Sequence, residues 1–158
     1  MPKNKIRHVD SKEHKLSESD ILLVAAHEHP ESAKAQYKAA KRPKGVSPER
    51  LLYSIFVKLI SVPNVVRIRE GNTLFAIHSG KDGTALVYVF DADTTSRTIK
   101  NIASGIEATR KMGYKKLLAP AEGTAMIALA KRAFNTIKKS GETFNVRENV
   151  VEVGLSNG

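Results

Sequence analysis

The stretch VVRIREGNTLFAIHSGKDGTALVYVF, residues 65–90, decides the fold. Val65 to Glu70 and Thr73 to His78 are two extended runs joined by Gly71-Asn72, a two-residue link of the kind that accepts positive φ and closes a hairpin. Gly80-Lys81-Asp82-Gly83 makes a second turn, and Thr84 to Phe90 a third strand. In that strand Leu86, Tyr88 and Phe90 fall on one face, Val87 and Val89 on the other. Apolar side chains on both faces mark a strand in the middle of a sheet covered from both sides.

Working towards the C-terminus, Thr and Ser in Asp91-Ala92-Asp93-Thr94-Thr95-Ser96 can cap a helix whose apolar side is Ile99, Ile102, Ile106 and Met112. Gly113 stops it. Tyr114 to Ala119 is a short strand. Gly123 to Lys139 is a further helix, carrying Met126, Ile127, Ala130, Phe134 and Ile137, with Lys138 and Lys139 at the end where the dipole favours cations. Glu142 to Arg147 and Val150 to Leu155 form a last hairpin across Glu148-Asn149.

Towards the N-terminus, Ser47-Pro48-Glu49 is a helix start with Ser as cap, Pro at the first helical position and an acid in the first turn. Leu51, Leu52, Ile55, Phe56, Leu59 and Ile60 follow at three- and four-residue steps, and Pro63 ends the helix. Ser17 to Asp20 opens another helix over Ile21 to Ala26, and Pro30-Glu31 a third, exposed or mobile, over Ser32 to Lys41. Ile6 to Val9 reads as a first strand. The order is β, helices, β-β-β, helix, β, helix, β-β: an α/β protein with a mixed sheet, in which an antiparallel three-strand meander is followed by β-α-β crossovers.

The chain has 158 residues, which suits one domain. It has no cysteine, so thiol catalysis, disulfides and cysteine zinc sites are excluded. No apolar run approaches the ~20 residues needed to cross a bilayer, and Met1-Pro2-Lys3-Asn4-Lys5 leads into no apolar signal core. The net charge is +10. Residues 1–60 carry 12 basic and 7 acidic side chains, residues 61–158 carry 14 and 9, so the excess is spread and there is no basic tail.

This order of elements resembles the GNAT acetyltransferase fold over Lys5 to Leu155. The resemblance implies a single domain, 1–158, within which residues 30–46 read from their Ala and Lys content as a mobile basic insertion. It implies that the helix from Thr95 to Met112 is the one that holds coenzyme A. The family grips the pyrophosphate with an Arg/Gln-x-x-Gly-x-Gly/Ala loop, in which small residues let backbone N–H groups approach phosphate at a helix N-terminus. Arg97 falls near the expected place, but Lys100 and Ile102 stand where the small residues belong. The family's general-acid Tyr has no counterpart between Glu122 and Ser140. Asp91 and Asp93 are placed to serve as the base, though an Asp at a strand-to-helix turn also serves as a cap or turn former. A degenerate domain of this type occurs in virion proteins of short-tailed, podovirus-type phages, and the basic stretch Lys100, Arg110, Lys111, Lys115 and Lys116 is similar in character to theirs.

Other clusters carry less chemistry. His27 and His29 are two apart and face different sides of a helix, unlike a helical zinc pair four apart, so no metal is expected. Lys34, Lys38, Lys41, Arg42 and Lys44 form a basic run, the first three on one helical face. With Arg110, Lys111, Lys115 and Lys116 they are the candidate contacts to a polyanion, against the plainer reading of a solvated face. Few aromatics and no base-reading motif accompany them.

Three readings follow. The first is a non-catalytic GNAT-like phage structural or assembly protein without cofactor, working through contacts with other virion subunits, beside packaged DNA, in the virion or host cytoplasm. The second is an acyl-CoA-dependent N-acetyltransferase, with Asp91 or Asp93 as base and Arg97, Thr95, Ser96 and Thr98 holding acetyl-CoA. The third is a nucleic-acid-binding protein without sequence preference.

Overall fold

A computed structural model describes residues 15–41, 45–121 and 123–156. The first strand expected at Ile6 to Val9 lies outside the described residues, as do Arg42 and Lys44 of the basic run.

Three helices come first: α1 (Glu18–His27), α2 (Pro30–Ala39) and α3 (Pro48–Ile60). The caps are those the sequence advertises. The Ser17 hydroxyl accepts from Asp20 N at 3.1 Å, and the Ser47 hydroxyl from Arg50 N at 3.3 Å. α2 is largely exposed, as its Ala and Lys content implies; Ala33 is its buried residue. The meander follows as β1 (Val66–Glu70), β2 (Thr73–Ser79) and β3 (Thr84–Asp91), then α4 (Thr95–Lys111), β4 (Lys116–Pro120), α5 (Thr124–Ile137) and the hairpin β5 (Thr143–Arg147), β6 (Val150–Gly154). Glu148 and Asn149 both take positive φ in that last turn, as a tight two-residue link requires. α5 ends at Ile137, so Lys138 and Lys139 lie just past its last turn and not within it.

The six strands form one mixed sheet in the order β1-β2-β3-β4-β6-β5. β1, β2 and β3 are antiparallel neighbours; α4 carries the chain over to β4, which runs parallel to β3. The second crossover, through α5, leaves a gap of one strand, and β6 folds back into that gap antiparallel to both β4 and β5.

β2 shows why the sheet is covered on both faces. Phe75 and Ile77 pack with Val87, Ile102, Ile106, Leu117, Phe134 and Val153 under α4 and α5. Leu74 and Ala76 point the other way, into Ile21, Leu22, Ile60 and Phe90 beneath α1 and α3. Gly105 is where α4 lies closest to the sheet: a Cβ there would stand 2.7 Å from the Phe75 ring. Among the described residues no helix is long and apolar enough to cross a membrane.

Candidate functional site

Parallel pairing between β3 and β4 is confined to Thr84, Ala85 and Leu86 with Lys116, Leu117 and Leu118. Beyond that point β3 runs on to Asp91 and β4 to Pro120 as unpaired neighbours. The sheet therefore splits at the C-terminal ends of its two parallel strands, the place where open α/β sheets put their ligand crevices. A narrow cleft fills the split, lined by side chains including Phe75, Val89, Ile106, Leu117, Met126 and Val151. Its walls are almost wholly apolar. Polar groups gather at its mouth, where Glu28 and His29 at the α1–α2 corner face Asp91 and Met126.

The residues expected to do chemistry are drawn into structural bonds. Asp91, the last residue of β3, accepts from the Thr73 hydroxyl at 2.8 Å and from Asp93 N at 3.1 Å through one oxygen. Its other oxygen lies 2.8 Å from the Thr98 hydroxyl, which is also 2.9 Å from Thr94 O. Asp93 is buried, and one of its oxygens accepts from Asn72 N and from Asn101 Nδ2, each at 2.8 Å. Asn101 also donates to the Thr73 hydroxyl at 2.9 Å. The two carboxylates thus tie the β3–α4 turn to the β1–β2 turn. They also place two negative groups at the N-terminal end of α4, where the helix dipole favours anions.

The four residues expected to hold coenzyme A are consecutive in the first turn of α4. Thr95 and Ser96 are exposed, Arg97 is half-buried, and Thr98 is fully buried with its hydroxyl turned to Asp91. Thr94 occupies the cap position, but its side chain makes no capping bond.

Asn72 was legible only as a turn former. It is 1% exposed, and Gly71 alone supplies the positive φ of the hairpin turn. The Asn72 side-chain oxygen accepts from Leu16 N at 2.9 Å and from Arg69 at 3.1 Å, while its backbone N–H serves Asp93. Space is as tight as conformation here, since a Cβ on Gly71 would lie 2.7 Å from the Asp93 carboxylate. Asn101 and Thr73, which complete the network, carry no sequence signal of that role. His29 and Met126 reach the cleft only because α1 and α5 converge on the split.

Among the candidate polyanion contacts, Lys34, Lys38 and Lys41 are exposed on and just beyond α2, and Lys111, Lys115 and Lys116 are exposed around the α4–β4 connection. Arg110 is a correction. Its side chain is 4% exposed and bonded to Glu142 and Glu107, so it faces inward and offers nothing to a polyanion. Among the described residues no group of three or more His, Asp or Glu side chains could hold a metal ion. Comparison of the sequence with protein-family models and with curated proteins gives no match.

Proposed function

We propose that this chain is a GNAT-like domain that has given up acetyl transfer and works as a structural or assembly protein, of the kind found in the virions of short-tailed phages. The order of helices and strands, with the antiparallel three-strand meander followed by the β-α-β crossover, supports the GNAT-like part. The resemblance in organisation and basic character supports the virion part.

One observation carries the loss of catalysis. A base must come within hydrogen-bond reach of the proton it takes, and a pyrophosphate needs an electropositive helix N-terminus. Here Asp93 is buried with Asn72 and Asn101, Asp91 holds the Thr73 and Thr98 hydroxyls, and both bring negative charge to the helix end that would receive phosphate. The small residues of a phosphate cradle are replaced by Lys100 and Ile102.

The apolar cleft in the split favours the second reading, an acyl-CoA-dependent transferase, because it would accommodate a thin, largely apolar arm. Calorimetric titration of the full chain with acetyl-CoA separates the two. The assembly reading expects no binding heat and no thermal shift. A micromolar Kd that disappears in Arg97→Ala would overturn it in favour of the transferase.

A further inference from the structure

The tertiary fold gathers a cationic belt that the sequence scatters over three segments. The β2–β3 turn brings Lys81, the α4–β4 connection brings Lys111, Lys115 and Lys116, and the α5–β5 connection brings Lys138 and Lys139. All six are exposed. Their adjacency follows from bonds between the segments. Gly83 O accepts from Lys115 N at 2.8 Å and from Lys116 N at 3.3 Å, which joins the first segment to the second. Arg110, at the end of α4, bonds to Glu142 and to Ile137 O, and Lys139 N donates to Glu142 at 2.9 Å, which joins the second to the third.

The charge balance of this end is one-sided. Residues 80–83, 110–116 and 137–142 contain seven basic and two acidic side chains, so they hold half of the chain's net charge of +10. One of the two acids, Glu142, is wholly buried against Arg110 and neutralised there. The same pairing withdraws Arg110 from the surface. Asp82 is the remaining acid in these segments against six lysines, and Glu107, Arg110's other partner, is one further partly exposed acid beside them.

We propose that this belt is a docking surface for the phosphate backbone of duplex nucleic acid, bound without regard to sequence. Lysine ammonium groups act as point charges, which suits phosphate neutralisation and carries no base information. Three segments spread the charges over an area, as the two phosphate rows of a duplex require; a single strand would instead be tracked by one groove with aromatic stacking platforms. The inference does not depend on the assembly reading, since a coenzyme-binding chain would carry the same belt.

The test is fluorescence anisotropy of the full chain with a labelled random-sequence duplex of about 20 base pairs, without coenzyme, over a range of salt. Neutralising four or more phosphates predicts a loss of affinity on the order of 100-fold between about 50 and 200 mM salt. Combining K111Q, K115Q, K116Q, K138Q and K139Q is expected to weaken binding at least tenfold and to flatten the salt slope by about one unit for each phosphate no longer neutralised. R132Q/R147Q, at exposed positions on α5 and β5 outside the belt, is the control and is expected to change affinity less than threefold. Thermal midpoints confirm that each variant is folded. No binding by the unmodified chain, tighter binding to a single strand than to duplex, an unchanged five-lysine variant, or an equal loss in the R132Q/R147Q control would each overturn the assignment.

Discussion

Arg110 clasps Glu142 at two points, Nε to one carboxylate oxygen at 2.9 Å and a terminal nitrogen to the other at 2.7 Å. The pair joins the last turn of α4 to the loop before β5, and neither side chain reaches solvent appreciably. Glu142 is satisfied further by the backbone N–H groups of Lys139 and Ser156, each at 2.9 Å, and Arg110 donates to Ile137 O at 3.1 Å. One ion pair therefore fastens the ends of α4 and α5 and the chain after β6.

Acid should release this fastening. Burial by itself would raise the Glu142 carboxyl, but the hydrogen bonds from Arg110, Ser156 and Lys139 outweigh it and bring it from 4.5 to about 2. A carboxylate held below its ordinary value contributes stability that is complete above about pH 4.5 and is lost as the pH falls towards 2. The thermal midpoint measured from pH 7 to pH 2 should drop across that window in the unmodified chain, and the drop should be smaller in Glu142→Gln.

Breaking the pair from one side should cost more than removing it from both. Glu142→Ala takes away the buried guanidinium's bidentate partner and leaves it Glu107 and Ile137 O, so a loss at or below the lower end of about 3–5 kcal/mol is expected in urea unfolding. Arg110→Met/Glu142→Leu should recover much of that loss. A double-mutant cycle with additive single effects would show that the two side chains are not coupled.

The carboxylate at the end of β3 should behave as a cap. Asp91→Ala removes the acceptor of the Thr73 hydroxyl proton and of Asp93 N–H, while the Thr98 hydroxyl keeps Thr94 O, and should destabilise the chain by about 1–3 kcal/mol. Asp91→Asn, which keeps an acceptor for one of them, should lose less. Chemical denaturation of both variants checks the order.

Gly105 should not tolerate even one methyl. A helix-interior Ala is ordinarily preferred over Gly by about 1 kcal/mol, but the Phe75 ring occupies the place of the Cβ. Gly105→Ala is expected to lower stability by about 1–3 kcal/mol through overpacking. Phe75→Leu in the same chain should restore part of it, read from the unfolding midpoints.

How far these features are legible in the sequence depends on the range over which each is specified. Ser17, Ser47-Pro48, Gly71 and Glu148-Asn149 act within a few residues of themselves, through caps and positive φ, and each sits where its local chemistry puts it. The apolar faces of α3, α4 and β3 are likewise readable, since a period of 3.6 or 2 is a property of the segment alone. Asp93, Asn72 and Asn101 meet across gaps of 21 and 8 residues, and a buried Asn in a Gly-Asn turn reads like any turn Asn. Arg110 shows the same limit in the other direction. At a helix C-terminus it reads as one more surface cation, and only Glu142, 32 residues later, turns it inward.

The sequence by itself therefore determined the elements from Glu18 to Gly154, their order and the mixed α/β class, because helix and strand are encoded by short-range sterics, capping and periodic burial. The tertiary structure alone decided that β6 inserts beside β4, that β3 and β4 part beyond Leu86 to open a cleft, which carboxylates are bound up in hydrogen bonds, and which lysines share a surface. Those are relations between residues far apart in the chain, and no local preference contains them until packing brings the partners within bonding distance.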